Sequence, residues 1–117
     1  MGGLAWAPFY WGDYLRDTSH MSLAEHGAYL LLMSHYYSTG EPLPANEEQL
    51  LRICRCICSS DADVLLKVLQ EKFYRVGDVW RQDRIDAEIA KQQAISEKRR
   101  VAAGKRGGLR PIVGGRK

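Results

Sequence analysis

The chain has 117 residues, 45% hydrophobic and 26% charged, which suits one globular domain plus an extension and is too short for two domains. No apolar run reaches membrane-span length, the first residues lack the basic-then-apolar order of a secretory signal, and the odd set Cys54-Arg-Cys56-Ile-Cys58 does not make a disulfide framework, so a reduced, cytoplasmic setting is expected. The net charge of +3 hides an asymmetry: Lys98 to Lys117 carry eight basic residues and no acid, leaving nine basic residues against all 14 acidic ones in the body.

Taken in chain order, residues 1–8 are small and Gly-rich and read as a flexible N-terminus. Phe9-Tyr10-Trp11-Gly12-Asp13-Tyr14-Leu15 is dense in aromatic residues of high β propensity, and a short strand or an extended segment clamped on the core is expected. Aromatic packing is the plainer reading of this stretch; an exposed platform on which bases stack is the alternative. Ser22 to Tyr37 is the central helix. Ala28, Leu31, Leu32 and Tyr36 fill one side of it, and Tyr29, Leu30, Met33 and Tyr37 most of the other, so neighbours must cover it on several faces. Ser22 with Glu25 spells a capping box at its start, and Gly40 supplies a left-handed stop.

Glu41-Pro42-Leu43-Pro44 is a stiff connector that cannot be helical. Asn46, with Glu47, Glu48 and Gln49 behind it, opens a second, short helix expected to end near Cys56 to Cys58. A third helix runs to about Lys72, with Ser60 and Asp63 as its expected cap and Val64, Leu65, Val68 and Leu69 on one face. Phe73 to Val76 and Val79 to Gln82 flank Gly77-Asp78, a two-residue loop with Gly first, as a type II′ hairpin turn requires. In that register Val76 faces Val79, and Arg75 faces Trp80 closely enough to stack on its ring. A last helix starts at Asp83, turns Ile85 and Ile89 inward and is expected to fray past Glu97. The Gly-rich stretch beyond it is expected to be flexible.

The order helix, short helix, turn, helix, hairpin predicts a mainly α protein with a small β-hairpin, an α+β winged helix-turn-helix. The domain occupies residues 9–97 and carries a C-terminal helix and a basic flexible tail, residues 98–117. The third helix would read a groove and the Gly77-Asp78 hairpin would be the wing. A plain three-helix bundle would leave the hairpin unexplained.

The stretches Phe9 to Thr18, Met21 to Tyr29 (MSLAEHGAY), Gly40 to Pro44 and Trp80 to Glu88 (WRQDRIDAE) resemble the YdaU-like family of prophage and phage proteins. The resemblance runs from about Phe9 to Lys98. It implies similarity to the N-terminal winged-helix domains of phage replication initiators and of DnaD-like primosome proteins. Family members often carry a variable C-terminal region, which is short here.

Catalytic chemistry is not expected. His26 and His35 fall on different faces of the central helix, no nucleophile is spaced from a base, and no Gly-rich loop joins a strand to a helix as a phosphate cradle would. The three cysteines lack the distant second ligand pair of a zinc site, so packing is the favoured role and no metal or other cofactor is expected. Nucleic-acid binding rests on three features. Lys98, Arg99, Arg100, Lys105, Arg106 and Arg110 would attract any phosphate backbone, with a steep salt dependence and little sequence information. Arg75 and Arg81 on the hairpin would hold a backbone. Lys67 on the third helix is the weakest candidate, because Asp61, Asp63 and Glu71 surround it and carboxylates repel phosphates. Two functions follow: a phage-derived DNA-binding accessory of replication or regulation, or a protein-interaction adaptor docking on a phage or host partner.

Overall fold

The computed structural model describes residues 3–109, with side chains through Gly104. Helix α2 (Leu23–Thr39) begins where the sequence signals it. Ser22 Oγ accepts the Glu25 N–H at 3.2 Å, and the Glu25 carboxylate accepts the Ser22 N–H at 2.8 Å, closing the capping box. Gly40 ends the helix at φ 72°, a left-handed conformation that costs glycine nothing. Ala28, Tyr29, Leu32 and Tyr36 are buried, while Leu30 reaches solvent.

The N-terminal aromatic stretch is helical, a correction to the strand or extended segment expected from it. Helix α1 (Trp11–Asp17) turns Tyr14 and Thr18, four residues apart, toward α2. The Tyr14 ring lies 5.9 Å from that of Tyr29, its hydroxyl shares a 2.6 Å hydrogen bond with His26 Nδ1, and Thr18 is buried. These tertiary contacts override a strand propensity that amounts to only about 1 kcal/mol across its whole scale. The preceding segment is anchored at its described end, where Leu4 N–H donates to Tyr37 O at 2.9 Å. A Cβ on Gly3 would lie 2.0 Å from Ser38 O, so only glycine allows this approach.

The Pro-flanked connector is a strand, β1 (Leu43–Pro44), with Leu43 fully buried. Helix α3 (Glu47–Ile53) starts at Asn46, whose Oδ1 accepts the Gln49 N–H at 2.9 Å. It ends earlier than the expected Cys56 to Cys58. Arg55 stands at φ 55°, its N–H bonding Arg52 O and that of Cys56 bonding Leu51 O, both at 3.1 Å or less. This is a complete Schellman stop with arginine where glycine is usual, which is why composition conceals it. Helix α4 (Ser59–Lys72) is capped by Cys58 without a side-chain bond, not by Ser60 and Asp63. Asp61 instead reaches back to the Ile57 N–H at 3.1 Å. Leu65, Val68 and Leu69 bury its inner face against α2.

Strands β2 (Tyr74–Val76) and β3 (Val79–Arg81) form the expected hairpin in the expected register, with Gly77 at φ 59°. The sheet has a third member, because β1 pairs antiparallel with β3, giving the order β1-β3-β2. The architecture is therefore α+β, with five helices and one small antiparallel sheet among the described residues. Helix α5 (Asp83–Leu109) buries Ile85 and Ile89 and continues past the expected fraying point at Glu97. Its 27 residues rise roughly 40 Å at 1.5 Å each.

Candidate nucleic-acid interface

The sequence-derived candidates divide according to what each cation already holds. Lys67 Nζ lies 2.7 Å from Glu25 Oε2, so its ammonium ties α4 to the capped start of α2. The hydrogen bond from Lys67 holds the Glu25 carboxyl below its ordinary range, helped by the Ser22 N–H, and the same bond raises Lys67. His20 bonds Glu71 beside it. The outer surface of α4 thus spends Lys67 internally, with Lys72 donating to Asp17 O, and presents Asp63 and Glu71 with a half-exposed Leu66.

The hairpin register separates the two arginines expected to act together. Arg75 pairs with Trp80, and Arg81 with Tyr74. Side chains alternate across a strand, so Arg75 and Arg81 point to opposite faces of the sheet. Arg81 Nη1 sits 3.0 Å from Asp86 Oδ2, and that bond raises an already high pKa. Tyr36 donates its hydroxyl to the same carboxylate, and the Gln82 N–H donates back to Tyr36 at 3.3 Å. Arg75 is exposed and donates its Nε to Gly77 O at 2.8 Å, in place of the expected stacking on Trp80. A continuous strip through Lys67, Arg75 and Arg81 therefore does not form.

Helix α5 does gather charge. Lys98, Arg99 and Arg100 are consecutive and exposed on it, with Arg100 paired to Glu97. Lys105 and Arg106 belong to its last turns, and Arg110 lies outside the described residues. Lys91 extends this group toward the body. The seven-residue spacing of Arg84, Lys91 and Lys98 places all three along one side of the helix, a signal present in the sequence that a boundary between body and tail at Lys98 conceals. Arg84 is engaged, reaching Asp13 at 2.7 Å and Asp17 at 3.1 Å while lying over the Tyr10 ring. Lys91 and Arg99 make no ion pair among the described residues.

The cysteines lie after α3 in irregular chain, because the helix expected to end near Cys56 to Cys58 stops at Ile53. Burial pushes the Cys54 thiol up to about 12, and its Sγ is 3.8 Å from Ala28 O, which is the environment of a packing residue. Among the described residues no three His, Cys, Asp or Glu side chains converge as metal ligands, and no helix is long and apolar enough to cross a membrane.

What these contacts define is a small α+β body with a cationic helix attached. Residues 5–90 match the family described as "Protein of unknown function (DUF1376)", and the chain belongs to that family. It is 43% identical over 107 residues to "Uncharacterized protein YdaU" of Escherichia coli (strain K12), a match covering 90% of this chain and 35% of the relative. The chain thus spans about a third of the length of that curated relative. No solved structure matches it.

Proposed function

We propose that the chain is a DNA-binding accessory module of phage or prophage origin, serving replication or regulation, and not an enzyme. The observation that carries the winged-helix part of this reading is the element order α2-β1-α3-α4-β2-β3, with β1 laid against β3. A strand after the first helix and a hairpin after the third is what a winged helix-turn-helix needs. In this reading attraction comes from α5, through Lys98, Arg99 and Arg100, more than from α4, whose Lys67 is spent on Glu25. The contact is then electrostatic and nearly indifferent to sequence.

The test is a salt titration of binding to a fluorescent duplex of roughly 20 base pairs, using the full chain and a Lys98→Gln, Arg99→Gln, Arg100→Gln variant. Each phosphate contact contributes a slope of about −0.9 in log K against log salt, so the variant should be shallower by roughly 2 to 3. No duplex binding by the full chain, or an unchanged slope in the variant, refutes the reading.

A second reading, a protein-interaction adaptor, is favoured by one observation. Leu66 is 48% exposed on α4 between Asp63 and Glu71, a pattern closer to a protein-docking face than to a groove reader. Leu66→Ser leaves duplex affinity unchanged under both readings, and only the adaptor reading expects it to abolish capture of a partner.

A further inference from the structure

Between the N-terminal segment and the middle of α5 runs an open groove of about 790 Å³. One wall carries Trp6 and Tyr10; the other carries Lys91, Gln92, Ile95, Ser96 and Arg99 of α5. Its described lining contains no carboxylate; Glu88 lies beside it, its Oε1 accepting the Tyr10 hydroxyl at 3.5 Å. The aromatic wall is held in place by the Leu4–Tyr37 hydrogen bond and by the glycine-only approach of Gly3 to Ser38. Trp6 nevertheless remains 69% exposed, and Trp11, next to Tyr10, 68%. Phe9 and Trp11 already stack on one another, with centroids 4.3 Å apart and planes 15° from parallel. Large rings held at the surface beside unpaired cations contrast with Tyr29, Tyr36 and Phe73, which the core buries.

We propose that this groove binds a single-stranded nucleic acid, with a base stacked on Trp6 and the backbone running past Lys91 and Arg99. Rings offer a face to any unpaired base, and cations spaced along a helix follow a phosphate chain. A duplex does not suit the site, since its base faces are already covered by their neighbours. An apolar peptide helix suits it less well, because apart from Ile95 one wall is amide, hydroxyl and cation. The inference goes beyond the proposed function, for it requires neither a wing nor a groove-reading helix.

The test uses the full chain and a fluorescent oligo(dT) of roughly 20 nucleotides, read by anisotropy and by quenching of tryptophan emission. Trp6→Ala should weaken binding by roughly five- to a hundredfold, the range that loss of one stacked base gives. Trp6→Phe should keep most of the affinity while losing much of the quenching, which distinguishes stacking from a structural role. Lys91→Gln with Arg99→Gln should flatten the salt slope by about 1.4, at 0.7 per contact for a single strand. Because Trp6 is exposed, these variants are expected to fold, and far-UV circular dichroism checks that they do. Equal affinity of wild type and Trp6→Ala, or no binding of oligo(dT) by wild type, overturns the proposal. Duplex binding that persists in that case leaves the proposed function standing. Trp6-dependent strand binding without duplex binding supports the groove and removes the duplex reading.

Discussion

Tyr36→Phe removes a single oxygen from the middle of the molecule, at a residue only 1% exposed. The hydroxyl donates to Asp86 and accepts the Gln82 N–H at 3.3 Å, so it joins α2 to the residues that lead from β3 into α5. A hydrogen bond to a charged group contributes about 1.5–3 kcal/mol, and the long bond from Gln82 adds about 0.5. Asp86 keeps Arg81 and stays partly open to water, which offsets some of the loss, and phenylalanine fills the same space. A net destabilisation of about 2 kcal/mol follows, or a fall in Tm of roughly 8 °C for a domain of this size. Urea unfolding followed by circular dichroism should show a lower midpoint at an unchanged m value. The pH dependence gives a second check. Burial first, and Asp86 next, raise the Tyr36 hydroxyl above its ordinary 10.0. Its stabilisation is therefore complete below pH 10.0 and is lost as pH rises through the folded-state value. The gap between wild type and variant should be constant below that pH and narrow above it. A variant as stable as wild type at pH 7 would refute the account of this junction.

Other outcomes follow from the same contacts. Wild-type stability should decline as pH falls below 4.5, the ordinary Glu25 value, because the depressed carboxyl is ionised in the folded state and must take up a proton. Lys67→Met should flatten that decline, and parallel stability curves for the two proteins would contradict the assigned pair. Arg55→Gly should stabilise the protein by about 0.5–1 kcal/mol by relieving the left-handed arginine after α3, read from the urea midpoint. Leu32→Ala, at a site with no solvent exposure, should cost about 2–5 kcal/mol, and a loss below 1 kcal/mol would mean the core collapses around the cavity.

Signals with a local physical cause were legible in the chain itself. The Ser22–Glu25 box, the Gly40 stop, the Asn46 cap and the Gly77-Asp78 hairpin each depend on backbone groups within a few residues. All four occur in the structure at the positions read from the sequence. The inward residues of α4 and α5 were equally readable, because a period near 3.6 marks the buried side of a helix, whereas α2 is apolar nearly all round and its pattern names no single buried side. Two of the misreadings share one cause. The helical state of Trp11–Asp17 depends on Tyr29 and His26, and the strand at Leu43–Pro44 on Val79 and Trp80, which are distant partners that no window of neighbours contains. The separation of Arg75 from Arg81 needed only the strand alternation, which the hairpin register already implied.

The sequence by itself determined where α2, α3 and α5 begin, which residues of α4 and α5 seek the core and that positive charge collects after Lys98, since these are properties of adjacent residues and of composition. Only the tertiary structure decided which cations remain available. It paired Lys67 with Glu25 and Arg81 with Asp86, left Lys91 and Arg99 facing Trp6 and Tyr10, and made one groove from the N-terminal segment and the middle of α5. An ion pair forms only where folding brings opposite charges within a few ångströms, and linear order carries no record of that distance.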